Sequence, residues 1–154
     1  MSELDGNDPP WLRLAELELQ AGVAEVDGPR SNARIDQYHA ATHGGPAAQD
    51  ADSVPWCSSF VCWCFEQSGV ASTRFKAARS WLQWGRKLDT PQLGCVVVLW
   101  RESPKLAKGH VGLYVGEDRG GERVLLLGGN QGNRVSVRPY RADRVLGYRW
   151  PVVS

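Results

Sequence analysis

At 154 residues, with 42% hydrophobic and 23% charged side chains, the chain has the composition of one ordinary globular domain, large enough to bury a core without disulfides or a metal. Lys and Arg number 18 against 17 Asp and Glu, and the net charge of +1 excludes a nucleic-acid binder that works by bulk counterion release. No segment approaches the roughly 20 apolar residues of a membrane span, so no membrane insertion is expected.

The start, MSELDGNDPPWLRLAELELQ, lacks a basic region followed by an apolar run, so no signal peptide is expected. Synthesis in a reducing cytoplasm follows as the expectation, and there four cysteines read as thiols rather than as a disulfide framework. Seven tryptophans serve either as large core pieces or as stacking platforms for sugars and peptides, the core being the commoner use.

Residues 1–10 form a polar segment, and residues 11–151 read as a single domain. PPWLRLAELELQAG places Trp11, Leu14, Ala15, Leu17 and Leu19 at helical spacing between prolines and Gly22, which predicts a first helix. A turn at residues 27–29 precedes a short helix over about 32–41, and GGPAAQDADSV reads as a surface loop. VPWCSSFVCWCFEQSG then predicts a helix over about 55–68, with Ser53 as N-cap, Pro55 in the first turn and Gly69 just past the end.

That helix is apolar nearly all round, which predicts a central buried element with one exposed tip. AARSWLQWG is a shorter helical piece. From residue 90 the pattern changes to strands, over about 95–100, 110–116, 123–129, 134–140 and 145–150. Helices first and strands afterwards predict an α+β domain with a largely antiparallel sheet.

Cys57, Cys62 and Cys64 splay over different faces of one helix, there is no C-x-x-C, and His39, His43 and His110 form no paired ligand pattern, so neither zinc nor any other cofactor is expected. Cys62, Cys64 and Cys95 read as small buried hydrophobes. Cys57 differs by position. In the first turn its sulfur meets unpaired backbone N–H groups and the positive end of the helix dipole, both of which favour thiolate.

The base candidate is His110 in KGHVGLYVG, where alternation sets His110, Gly112 and Tyr114 on one face and leaves open space beside the ring. Asn130, at the end of VLLLGGNQGN, is the candidate to orient the imidazole, with Gln131 taking that part if the strand slips by one.

Together PWCSSFVCWCFEQSGV, AARSWLQWG, PQLGCVVVLWR, GHVGLYVGED and VLLLGGNQGNRVSVRPY resemble the papain-like bacterial and phage cysteine peptidases of the NlpC and CHAP group, closest to a phage-associated, lysin-like subfamily. The resemblance runs from about Trp11 to Pro151. It implies a papain-like fold, with N-terminal helices and the nucleophile helix packed on the sheet. It further implies Cys57 as nucleophile, His110 as general base and acid, and Asn130 as third member.

Glu25 and Asn32 match an early motif that borders the cleft, and Trp56, Lys108 and Gln131 are further candidates for substrate contact. Arg101 and Lys105 join Lys108 as cations placed to meet substrate carboxylates. Cys95 stands where such proteins usually carry aspartate.

The implied substrate is peptidoglycan, cut at an amide of the stem peptide or at its link to the sugar. A toxin or effector acting on protein, and a non-catalytic wall-binding module, are the competing readings. The implied protein is a monomer that acts in the periplasm or at the cell wall after release or delivery, with an immunity protein or delivery machinery as possible partners.

Overall fold

The structure is a computed structural model and describes residues 8–26, 32–43 and 55–152. It is an α+β fold in which helices cover one face of a six-stranded, wholly antiparallel sheet. Helix α1, Pro10–Ala21, starts on a proline and ends at Gly22, whose positive φ of 71° lets its N–H close on Leu19 O. Trp11, Leu12 and Ala15 form its buried stripe, whereas Leu17, expected on that stripe, is exposed. The Trp11 indole donates to Gly94 O at 2.7 Å and so ties α1 to the turn before the second strand.

Helix α2, Ala33–Ala40, is capped by Asn32, whose Oδ1 accepts from the Arg34 N–H. Helix α3, Cys57–Gln67, is the central element, with every residue from Cys57 to Phe65 buried. Its cap residue is Trp56, which supplies no side-chain acceptor. Pro55 therefore precedes the cap instead of occupying the first turn, and Ser53, the expected cap, lies outside the described residues. Gly69, with a φ of 78°, follows the helix end as its sequence position predicts.

The two serines of the first turn are fully buried yet satisfied. Ser58 donates to Phe75 O and accepts from Trp81 Nε1, while Ser59 Oγ lies 2.8 Å from His39 Nδ1. Trp81 belongs to a 3-10 helix, Ala78–Gln83. These bonds lock the tip of α3 between α2 and the 3-10 helix.

The strands are β1 (Arg86–Leu88), β2 (Val96–Trp100), β3 (Gly109–Asp118), β4 (Arg123–Gly128), β5 (Ser136–Arg141) and β6 (Val145–Trp150), in the spatial order β1-β6-β2-β3-β4-β5. The sequence reading misses β1, because RKL carries none of the β-branched or aromatic signal of a strand. Strand β5 begins later than expected because the backbone just before it pairs with the segment after α1, through Val135 N–H to Val23 O and Glu25 N–H to Asn133 O.

Val96, Val98, Val111, Leu113 and Leu127 pack against the helices, while Val97, Leu99, Val124 and Leu126 pack with Leu88 and Cys95 in a second cluster. Strand β2 is thus buried on both faces, which explains its unbroken aliphatic run. The open space expected beside Gly112 is filled: a Cβ there would lie 3.1 Å from Leu126 Cβ.

Candidate active site

The tip of α3 meets the start of β3, where His110 stands opposite Leu99. The Cys57 sulfur is hydrogen-bonded to the His110 ring. Nε2 of that ring lies 2.8 Å from Gln131 Oε1 and 3.3 Å from the Tyr140 hydroxyl, which leaves Nδ1 as the nitrogen turned toward sulfur. Gln131 is 2% exposed, and its amide group donates to Leu126 O at 3.1 Å and Ser136 O at 2.7 Å. Its Oε1 is therefore fixed in direction, an acceptor aimed at the imidazole by two strand carbonyls.

The electrostatics separate Cys57 from its neighbours. Burial alone pushes the Cys57 thiol up, but the His110 hydrogen bond, the His110 charge and the backbone N–H groups of Val111 and Ser58 outweigh it and bring it below its ordinary value of 9.0. Burial pushes His110 down, and the Cys57 hydrogen bond and charge, followed by Gln131, carry it above its ordinary 6.5 against an opposing push from Arg101. Each member of the pair thus favours the charged form of the other. Burial outweighs backbone hydrogen bonds at Cys64 and Cys95 and pushes both thiols up, Cys95 to about 11.

Cys57 and His110 share a polar cavity of about 310 Å³ with Arg101, Asn130, Asn133, Tyr140 and Arg144. Two larger concavities, of about 450 and 380 Å³, contain no cysteine or histidine in their walls, so chemistry rather than size selects the site.

A cysteine at the tip of a buried helix, a histidine on the facing strand and an amide bonded to its ring thus meet in one site. The family model of the CHAP domain matches residues 49–130, more than half of the chain, and spans both Cys57 and His110. The chain belongs to the CHAP domain family. Its fold is shared with the P60 domain of antigen MAP1204 from M. avium subspecies paratuberculosis, at a TM-score of 0.52 and 18% identity over 94% of this chain and 96% of that one.

The P60 domain of antigen MAP1272c from M. avium paratuberculosis gives a TM-score of 0.51 at 15% identity over 93% of each chain. No curated protein matches the sequence. The CHAP domain thus sits within the papain-like NlpC and CHAP superfamily, whose general function is that of a cell-wall amidase or peptidase.

Within this CHAP domain the expected residues divide. Cys57 and His110 come together. Asn130 lines the cavity, but the ring's partner is Gln131, one residue further on. The reason lies in the turn after β4: Asn130 adopts a left-handed φ of 59°, so it is Gln131 whose side chain folds back over the carbonyls of Leu126 and Ser136.

Trp56, expected to touch substrate, is instead fully buried, stacked on Tyr38 and donating to Glu25 Oε1 at 2.9 Å. Glu25 thereby holds the residue that precedes Cys57, and Asn32 caps α2 while donating to Ala24 O; neither lines the cavity. Lys108 also lies off the cavity, its ammonium 3.3 Å from Glu102 and its carbonyl accepting from Arg79.

The sequence reading misses Tyr140, Asn133 and Arg144. Arg144 belongs to a segment without a motif, Asn133 and Tyr140 lie in VLLLGGNQGNRVSVRPY without a local signal of their own, and the strand order brings all three to the mouth of the site.

Proposed function

We propose that this CHAP domain is a cysteine-dependent peptidoglycan hydrolase that cuts an amide bond, in the stem peptide or at the muramoyl–peptide link, through a thioester intermediate. The observation that carries the reading is the chain of contacts Cys57–His110–Gln131, because Cys57 has a base against its sulfur and a thiol brought below its ordinary value, whereas burial pushes the thiols of Cys64 and Cys95 up.

The Cys57 thiolate attacks the carbonyl carbon, and the carbonyl π electrons move onto oxygen. The backbone N–H of Cys57, in the first turn of α3 where helical N–H groups have no intrahelical partner, stabilises that oxyanion. Collapse of the intermediate expels the amine, which takes the proton from His110 Nδ1 and leaves a thioester on sulfur. His110 then removes a proton from water as it attacks the thioester, and the acid departs while the ion pair is restored. Proton transfer of this kind contributes about 10²–10⁴-fold. Gln131 keeps the ring in plane for both transfers by accepting from Nε2.

Tyr140 is held protonated, its hydroxyl pushed up to about 12 by burial and then by the Cys57 charge, so it adds a neutral polar edge to the site. The wall is the expected place of action. Among the described residues no helix is long and apolar enough to cross a membrane.

The test is incubation of the protein, and of its Cys57→Ala variant, with purified peptidoglycan, followed by mass spectrometry of released fragments. Fragments released by the wild type and absent with Cys57→Ala are the expected result, and their new termini identify the bond. Release that survives Cys57→Ala would refute the nucleophile, and no release from a folded, thiol-reactive wild type would refute the wall substrate and favour a protein one.

A further inference from the structure

Two guanidinium groups, those of Arg101 and Arg144, line the cavity around Cys57 and His110, and among the described residues no carboxylate does. Arg101 directly follows β2 and Arg144 directly precedes β6, and these strands are neighbours in the sheet with Leu99 opposite Val145. Adjacent strand ends therefore present both cations at one mouth.

Arg144 is already oriented. Its Nε and one terminal nitrogen donate to Trp100 O at 3.1 and 2.9 Å, with the guanidinium 5.3 Å from the centre of the Trp100 ring. A guanidinium has five N–H donors, so the opposite edge of this fork remains to be used.

The ion pairs among the described residues are Arg34–Glu18, Arg74–Glu66, Lys108–Glu102 and Arg141–Asp143. Neither cavity arginine is in that set, and Asp143, the acid nearest Arg144 in sequence, is taken by Arg141. Arg101, with no ion pair among the described residues, works against the imidazolium, pushing the His110 proton off. An anion bound between Arg101 and Arg144 would relieve that push at the moment the ion pair is needed.

We propose that Arg101 and Arg144 form a carboxylate-binding subsite, so that the preferred substrate carries a free carboxylate within reach of the amide attacked by Cys57. The proposal rests on the nucleophile reading above and adds the substrate class: an acidic stem peptide with its carboxylate free rather than amidated. Planar, bidentate recognition of a carboxylate is what two guanidinium forks supply.

The decisive experiment compares alkylation of Cys57 by iodoacetate and by iodoacetamide, which differ only in carboxylate against carboxamide. In both reactions the thiolate attacks the methylene carbon, a carbon–sulfur bond forms and iodide leaves. Rates are read at Cys57 by peptide mass mapping, because Cys62, Cys64 and Cys95 are also free thiols. The acid-to-amide rate ratio is normalised to that of β-mercaptoethanol, and each variant is scored against its own iodoacetamide rate so that any change in thiolate fraction cancels.

The expected wild-type preference for the acid is about tenfold at low salt, shrinking at high salt as screened charge requires. Arg101→Gln and Arg144→Gln should each lower it about threefold, and the double variant should abolish it. Arg144→Lys retains a cation and should retain most of the preference, which a purely structural loss would not.

A normalised ratio of one or less, or one indifferent to both Gln variants, overturns the subsite alone. A Cys57 inert to both reagents overturns the nucleophile reading and the subsite with it. On peptidoglycan, conversion of the stem carboxylates to carboxamides should slow fragment release about tenfold; equal release overturns the assignment of the anion to the stem peptide.

Discussion

Replacing Gln131 by alanine separates the residue that orients His110 from the neighbour that merely lies beside it. Three hydrogen bonds disappear, two buried and one partly buried: the buried ones to His110 Nε2 at 2.8 Å and to Leu126 O, and the partly buried one to Ser136 O. At about 1 kcal/mol for each bond, and more where a buried partner is stranded, Gln131→Ala should destabilise the fold by about 2–4 kcal/mol. A hydrogen bond to a charged group contributes about 1.5–3 kcal/mol, and if the imidazolium feels that loss in the transition state, turnover falls about 10- to 150-fold.

The comparison variant is Asn130→Gly, which suits the φ of 59° and removes a side chain not bonded to the ring. Fragment release from peptidoglycan, Cys57 alkylation and thermal unfolding are measured on all three proteins. The expected order of rates is wild type, then Asn130→Gly within a few-fold, then Gln131→Ala far below. A folded Gln131→Ala with wild-type rates, or an Asn130→Gly that loses activity while Gln131→Ala keeps it, would refute the assignment.

Cys57 lies below its ordinary 9.0 and His110 above its ordinary 6.5, so thiolate extends to lower pH than in an ordinary thiol and is lost as pH falls through the lowered Cys57 value. Hydrolysis should also fall as pH rises through the raised His110 value, because the ring then lacks the proton for the departing amine. In His110→Ala burial acts on the thiol without its largest opponent, and thiolate at pH 7 drops to about 1% or less. A pH profile of Cys57 alkylation that is the same in both proteins would contradict the ion pair.

Gly129→Ala should lower the Tm by several degrees, since its Cβ would lie 2.7 Å from both Trp56 Cζ3 and Phe60 Cβ, and overpacking of this kind costs about 1–3 kcal/mol. An unchanged Tm would show that the turn before Gln131 has more room than the close approach allows.

Much of the architecture was legible because it is written in short-range patterns. The unbroken apolar run of α3, closed by Gly69, marks a buried helix whatever else surrounds it, and alternating strands after residue 90 mark the sheet. The first-turn position of Cys57 was legible for the same reason: helix termini are local, and so is the field of their unpaired N–H groups. His110 was legible through its place at a strand start. Trp56 was misread because adjacency to the nucleophile in sequence does not say which way a side chain points, and the ring turns inward onto Tyr38.

By itself, then, the sequence determined the α+β order of elements, the central helix and the identity of its nucleophile candidate, all of which depend on residues within a turn or a strand of one another. Only the tertiary structure decided that Gln131 rather than Asn130 faces the imidazole, because a single left-handed residue in the turn reverses which side chain folds back. Only the tertiary structure, likewise, brought Arg144 and Tyr140 to the mouth of the site beside Arg101. The physical reason is register: hydrogen bonding between β2, β6 and β3 aligns strand ends that the sequence keeps far apart, and no local pattern encodes that alignment.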